Sequence, residues 1–252
     1  MAVRRNRIQY TADQLLNAVL FGALTWPGRT VRLERDSLLD YRNRPTSAQV
    51  PVAELYHENS KLSPELLPAL ALSAVDPGEL RREFLRRRGA LSRLATGDQL
   101  GGMERWSELL GPVAERTLER FYAIDLRVAD GGAVAAYEPA SNAFRLVKNL
   151  DDRERERLHT AVSLVDTGEG VPHPTPLLLV LACFPRNEIV FGQRGYRRTL
   201  LEAGQLTQDV VSSAAERGRT AHIHYEFADR DADRIMEVDG VEYSTVIAIA
   251  IW

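Results

Sequence analysis

The chain has 252 residues, with 32 Lys+Arg against 35 Asp+Glu and a formal charge of −3. Its 44% hydrophobic and 27% charged residues match an average soluble protein, which excludes a disordered tail, a collagen and a coiled-coil rod. The near-neutral balance speaks against a nucleic-acid partner, and the single cysteine, Cys183, excludes an intrachain disulfide. The apolar runs 176–184 and 245–252 fall far short of the ~20 residues of a membrane helix, so no membrane segment is expected. The opening Met-Ala-Val-Arg-Arg-Asn-Arg does not read as an export signal, and the expected location is cytoplasmic.

Thr11-Ala-Asp-Gln14 forms a capping-box pattern ahead of Leu15, Leu16, Val19, Leu20 and Ala23, and Pro27-Gly28 ends that helix. Residues 40–51 read as a loop, and Ser63-Pro64-Glu65 opens a short helix. Asp76-Pro77-Gly78-Glu79 is the clearest helix start: Asp caps, Pro suits the first position, and Glu79 falls in the first turn. That helix runs to about 94, and a second spans about 98–110 and stops at Gly111-Pro112.

The period then changes. Tyr122, Ile124, Leu126 and Val128 alternate as in a half-buried strand. Asp130-Gly131-Gly132 turns into 133–137, and 138–142 turns into 144–147, giving a three-strand meander. A charged helix over 151–164, a buried strand over 176–184 containing Cys183, and a long helix over 195–217 follow. An alternating strand over 221–227, a short helix over 230–237 and a terminal strand over 243–252 complete the order. Helices come first, antiparallel hairpins follow, and regular βαβ units are missing, so the expected class is α+β.

Arg81, Arg82, Arg86, Arg87, Arg88 and Arg93 crowd one helix. They fit a solvated face balanced by Glu79 and Glu83, a phosphate site or, least well, nucleic acid. His222, His224 and Glu226 share one side of a strand; an exposed polar face outweighs zinc there, and no metal is expected. No GxGxxG after a strand, no GxxxxGK[ST] and no GxSxG elbow occurs, which speaks against a dinucleotide fold and a P-loop enzyme. The segment Gly192-Gln193-Arg194-Gly195-Tyr196-Arg197-Arg198 gathers cations at a helix N-terminus, where the dipole already favours anions. An anionic ligand or an acidic group is expected to answer them. Gly204, inside the same helix, costs about 1 kcal/mol against Ala and suggests close approach of a ligand or another helix.

Tyr56-His57-Glu58-Asn59-Ser60-Lys61 looks like the Tyr-His-Glu-x-Ser-Lys signature of the SagB-type dehydrogenases, a branch of the FMN-dependent nitroreductase-like superfamily. Gly192-x-Arg194-x-Tyr196-Arg197, followed by Leu-Glu-Ala-Gly204-x-x-x-Gln208, resembles a second element of that branch, with Gln205 in place of His. Asp239-Gly240 before a terminal apolar strand and Ala136-Tyr137-Glu138-Pro139 are also similar to it. The resemblance covers about residues 50–252.

This resemblance implies a nitroreductase-like α+β sandwich over 51–252, preceded by a helical or loop extension over 1–50. It implies a dimer, homomeric or with a paralogue, holding FMN at the subunit interface. It further implies oxidation of azolines on a ribosomally made peptide, beside a cyclodehydratase partner. Arg86, Arg88, Ser92, Arg93, Arg194, Arg197 and Gln208 are the candidate flavin contacts, and Tyr196 or His57 the candidate base. The chain also departs from the family. A catalytic Lys-Tyr pair is replaced by Val190 and Phe191, neither of which exchanges a proton. The family's Pro-Ser-Ala-Gly loop finds no counterpart in Glu115-Arg116-Thr117-Leu118-Glu119-Arg120-Phe121. A rival expectation follows: a catalytically silent subunit of the same fold, paired with an active paralogue or a cyclodehydratase. A peptide-binding module using an open sheet edge is a third.

Overall fold

The computed structural model describes residues 76–94, 103–163, 175–192 and 194–252. The helices expected after Thr11 and Ser63, the Tyr56–Lys61 motif and the boundary at residue 50 lie outside them.

In chain order the described elements are α1 (Pro77–Leu94), α2 (Glu104–Thr117), a 3₁₀ turn (Leu118–Tyr122), β1 (Ile124–Asp130), β2 (Ala133–Glu138) and β3 (Ala143–Asn149). Then come α3 (Asp152–Ser163), β4 (Leu177–Cys183), α4 (Phe184–Phe191), α5 (Arg194–Glu216), β5 (Ala221–His224), α6 (Asp229–Ile235) and β6 (Tyr243–Ile251). The strands form one sheet in the order β3-β2-β1-β4-β6-β5, with every neighbour antiparallel. The class is α+β, as the order of patterns predicts.

Helices cover both sheet faces. Leu178, Val180 and Ala182 of β4 join a core with Phe84 of α1, Leu109 of α2 and Leu206 of α5. Leu177, Leu179 and Leu181 join a second core with Leu158 of α3 and Ile235 of α6. Burial on both sides explains why β4 reads as an unbroken apolar run. On β6 the register shifts between Val180↔Ile247 and Leu181↔Thr245, leaving Val246 as a bulge. Beside that bulge, Asp233 of α6 accepts the Thr245 N–H at 2.6 Å and the Ser244 hydroxyl at 2.9 Å.

Helix starts follow the local chemistry. The Asp76 carboxylate accepts the Gly78 N–H at 3.1 Å. Before α3, Asp151 accepts the Glu154 N–H at 2.7 Å, and Glu154 accepts the Asp151 N–H at 3.4 Å, a reciprocal cap.

Three expectations are corrected. Helix α2 does not stop at Gly111-Pro112 but continues to Thr117. Its buried stripe, Trp106, Leu109, Leu110, Val113 and Ala114, crosses the proline, and that burial outweighs a penalty of about 3 kcal/mol. Segment 184–191 is a helix that the sequence pattern did not announce; eight residues are too few to display a period. Strand β5 ends at His224, so Tyr225, 68% exposed, and Phe227 fall outside it. Among the described residues no helix is long and apolar enough to cross a membrane.

Candidate functional site

Three polar assemblies surround α4, and they differ in how their charges are satisfied. The first is buried. Arg88 of α1 donates through Nη1 to Asp125 on β1, and through Nε to Glu138 on β2 at 3.1 Å. Arg186 of α4 donates to the other Asp125 oxygen and to the Tyr122 carbonyl, both at 3.2 Å. The Tyr243 hydroxyl adds a third donor to Asp125 at 2.8 Å. Burial by itself would raise the Asp125 pKa; Arg186, Arg88 and Tyr243 outweigh it and hold the carboxyl well below the carboxylate range. The Arg186 guanidinium also lies 5.0 Å from the Phe84 ring centroid.

The second assembly ties α1, α4 and α5 together. Arg81 donates to Asn187 Oδ1 and Glu202 Oε1, each at 2.8 Å. The Asn187 amide donates to Thr199 at 3.0 Å and to the second Glu202 oxygen at 2.9 Å, while Arg198 donates to Glu202 at 2.8 Å. Phe191 lies under two guanidiniums, with Arg81 at 5.5 Å and Arg198 at 4.2 Å from its ring centroid. Helix α5 can approach this closely because residue 195 is glycine. A Cβ there would stand 2.3 Å from the Glu188 nitrogen and 2.4 Å from the Asn187 carbonyl carbon.

The third is an open cleft of about 220 Å³, lined by Phe184, Pro185, Glu188, Ile189, Tyr196, Val241 and Glu242. Tyr196 stacks on Phe184 with ring centroids 4.5 Å apart and planes inclined by 22°. Its far rim is the 239–242 turn. There the Asp239 carboxylate accepts the N–H groups of Val241 at 2.6 Å, Glu242 at 2.7 Å and Tyr243 at 3.3 Å. The Phe184 N–H donates to the Glu242 carbonyl at 3.0 Å, which fixes this rim to the start of α4. Burial, then the neighbouring Glu242 charge, pushes the Glu188 pKa up. A wider depression of about 610 Å³ lies elsewhere, between α2 and the end of α5. It mixes Glu108 and Glu115 with Arg217 and Arg219 and has no aromatic wall.

The structure places the described sequence-predicted site residues on two helices, α1 and α5. Tyr196 faces the cleft. Arg88 is committed to Asp125 and Glu138, and Arg86 clamps Glu83 with two bonds of 2.7 Å on the surface. Ser92 and Arg93 fall on the last turn of α1, where only the backbone is described, and His57 lies outside the described residues. Arg194 and Arg197 open α5; Gln208, bonded to Ser212 at 3.4 Å, stands about 21 Å further along its axis at 1.5 Å per residue. A flavin phosphate needs several charge-assisted donors converging on one point. Within one chain Gln208 stands apart from Arg194, and Arg86 and Arg88 are already engaged by Glu83, Asp125 and Glu138. Among the described residues a Cβ at Gly204 would meet nothing within 4 Å, so their packing does not require glycine there.

Asp125, Arg186, Glu188 and Glu242 were not singled out by the sequence. Glu188 follows Arg186 and Asn187 in the sequence and carries no local signal of its own; its partnership with Glu242 is purely tertiary. The rings of His222 and His224 meet edge to face at 4.6 Å, and among the described residues no cluster of three or more His, Cys, Asp or Glu is placed to hold a metal ion.

The antiparallel six-strand sheet, with helices on both faces, is the fold of the nitroreductases. No protein-family model matches the sequence, and no curated protein matches it. Among solved structures, a nitroreductase-type protein from Anabaena variabilis aligns with 79% of this chain at 16% identity and a TM-score of 0.58. This chain spans 46% of that protein's length. A chain of the E. coli microcin synthetase McbBCD complex, with truncated pro-MccB17 bound, aligns at 16% identity and a TM-score of 0.51. There the match covers 96% of this chain and 94% of the other.

Proposed function

We propose that this chain is a catalytically silent, nitroreductase-fold partner subunit of a peptide-modifying assembly. The observation that carries this reading is the commitment of Arg88 to two buried carboxylates. An incoming phosphate would have to displace both, leaving Asp125 and Glu138 as buried charges with less compensation. Two further features support it. Val190 packs on the core and Phe191 sits beneath Arg81 and Arg198, so neither position offers a proton. The full-length likeness to a chain of a peptide-bound synthetase complex supports the setting. The test is the visible spectrum of the purified protein, with and without added FMN. No flavin band is expected after gel filtration; bands that survive it overturn the reading.

The second reading is a SagB-type, FMN-dependent azoline oxidation on a peptide, by a homodimer or with a paralogue. The exposed Tyr196 phenol in a cleft favours it. On this reading Arg194→Ala with Arg197→Ala abolishes flavin retention, and Tyr196→Phe lowers turnover by roughly 10²-fold.

A further inference from the structure

We propose that the cleft between α4, the start of α5 and the 239–242 turn binds an organic cation: an ammonium or guanidinium on a short aliphatic stem, such as a lysine or arginine side chain. Phe184 and Tyr196 form its aromatic wall, and Glu188 and Glu242 its counter-charges. This deepens the partner role above, and rests on that reading only for a peptide as the source of the cation.

Charge accounting is the first argument. The buried acids among the described residues are answered from within the chain: Asp125 by two arginines and Tyr243, Glu202 by two arginines and Asn187, Asp233 by Thr245 and Ser244. The half-buried Glu188 and the exposed Glu242 instead line one cleft, where the Glu242 charge disfavours that of Glu188. An ionised, half-buried Glu188 beside another acid and an apolar wall is a standing cost that a bound cation would relieve. The second argument is the wall. Stacking on Phe184 leaves Tyr196 38% exposed, so the aromatic pair presents a π-surface to the cleft. A cation against such a face gains attraction that a neutral alkyl group does not. An anion is repelled by the same carboxylates, which sets this cleft apart from a phosphate site.

Size and rigidity agree. About 220 Å³ is smaller than the ~300 Å³ lower limit of drug-sized pockets and suits one side chain. The frame is held before any ligand arrives. Asp239 pins the turn, the Phe184 N–H pins the turn to α4, and Gly195 lets α5 lie against Glu188.

The test titrates the full-length protein, by calorimetry, with Nα-acetyl-lysine methylamide, Nα-acetyl-arginine methylamide, the uncharged Nα-acetyl-norleucine methylamide and free butylamine. The lysine or arginine compound is expected to bind about tenfold or more tightly than the norleucine one. The double variant Glu188→Gln, Glu242→Gln keeps the shape and is expected to erase that preference. Tyr196→Leu, which leaves both carboxylates in place, is expected to weaken cation binding several-fold. Equal binding of norleucine, a preference that survives the double variant, or no cation binding up to tens of millimolar each overturns the site. Butylamine separates the sources: weaker binding than the lysine amide assigns the cation to a peptide, equal binding to a free amine. Flavin plays no part in this readout, so its failure and a positive flavin spectrum are distinguishable results.

Discussion

Arg186 and Glu188 stand two residues apart on α4, and that offset turns them to different sides of the helix. Arg186 enters an interior where Asp125 meets two guanidiniums and a phenol. Glu188 enters a cleft where the charge that acts on it is that of another acid. Two carboxylates near one short helix therefore have opposite titration: Asp125 is held in its charged form, whereas Glu188 is pushed toward its neutral one. The difference teaches that burial alone does not predict the role of a charge here; what faces it does. A satisfied charge is part of the scaffold, and an unanswered one marks where something from outside can bind.

The sharpest way to break this comparison is Asp125→Ala. It leaves Arg88 and Arg186 close together in the interior without the charge they share, and a loss of about 3–5 kcal/mol in urea-unfolding stability is expected. A pH series refines it. The folded pKa of Asp125 is depressed, so its contribution is fully present above the unfolded value of about 3.9 and is lost as pH falls toward the folded one. Asp125→Asn should remove that part of the acid arm of the stability profile; an unchanged arm would mean that Asp125 is not the group responsible.

Gly195→Ala comes next. The added carbon meets backbone rather than a flexible side chain, so α4 and α5 must separate. The expected loss is about 1–3 kcal/mol or more, with weaker cation binding in the cleft. Native stability with unimpaired binding would show that the contact yields easily.

Glu188→Gln has the opposite sign and a smaller size. A raised folded pKa means a contribution present at low pH and lost as pH rises through that pKa, so at neutral pH the charged form is a net cost. The variant should melt slightly higher than wild type at pH 7 and no higher at pH 4. A fall at pH 7 would place an unrecognised cation beside Glu188. Arg86→Ala should be the smallest effect. Its exposed guanidinium, with Arg87, holds the Glu83 carboxyl at about 2 through hydrogen bonds. Melting should be unchanged, while an NMR titration shows the Glu83 pKa moving up.

Much of the fold was legible in the residues. The Asp76 cap, the turn at Gly131-Gly132, the apolar run of β4 and the long helix α5 were each read from the sequence, and each element is present. Helix α4 was not legible, because eight residues at the end of a strand carry no period and Pro185 reads as readily as a stop. The proline in α2 was misread as an end, because local propensity took no account of the buried stripe beyond it. The candidate site was legible only in part. Tyr196 was singled out from its motif, and the structure places it at the cleft. Arg88 was singled out from the same kind of reasoning, but the structure commits it to Asp125 and Glu138.

By itself, then, the sequence determined the α+β order of elements, the two-sided burial of the central strand and a chain without an intramolecular disulfide. These follow from spacing, capping and composition, which act over a few residues. Only the tertiary structure decided which arginines are spent within the chain and which carboxylates remain unanswered. Asp125 meets Arg88 and Arg186, and Glu188 meets Glu242, across folds of the chain. Electrostatic pairing depends on those through-space distances, and no local pattern in the sequence encodes them.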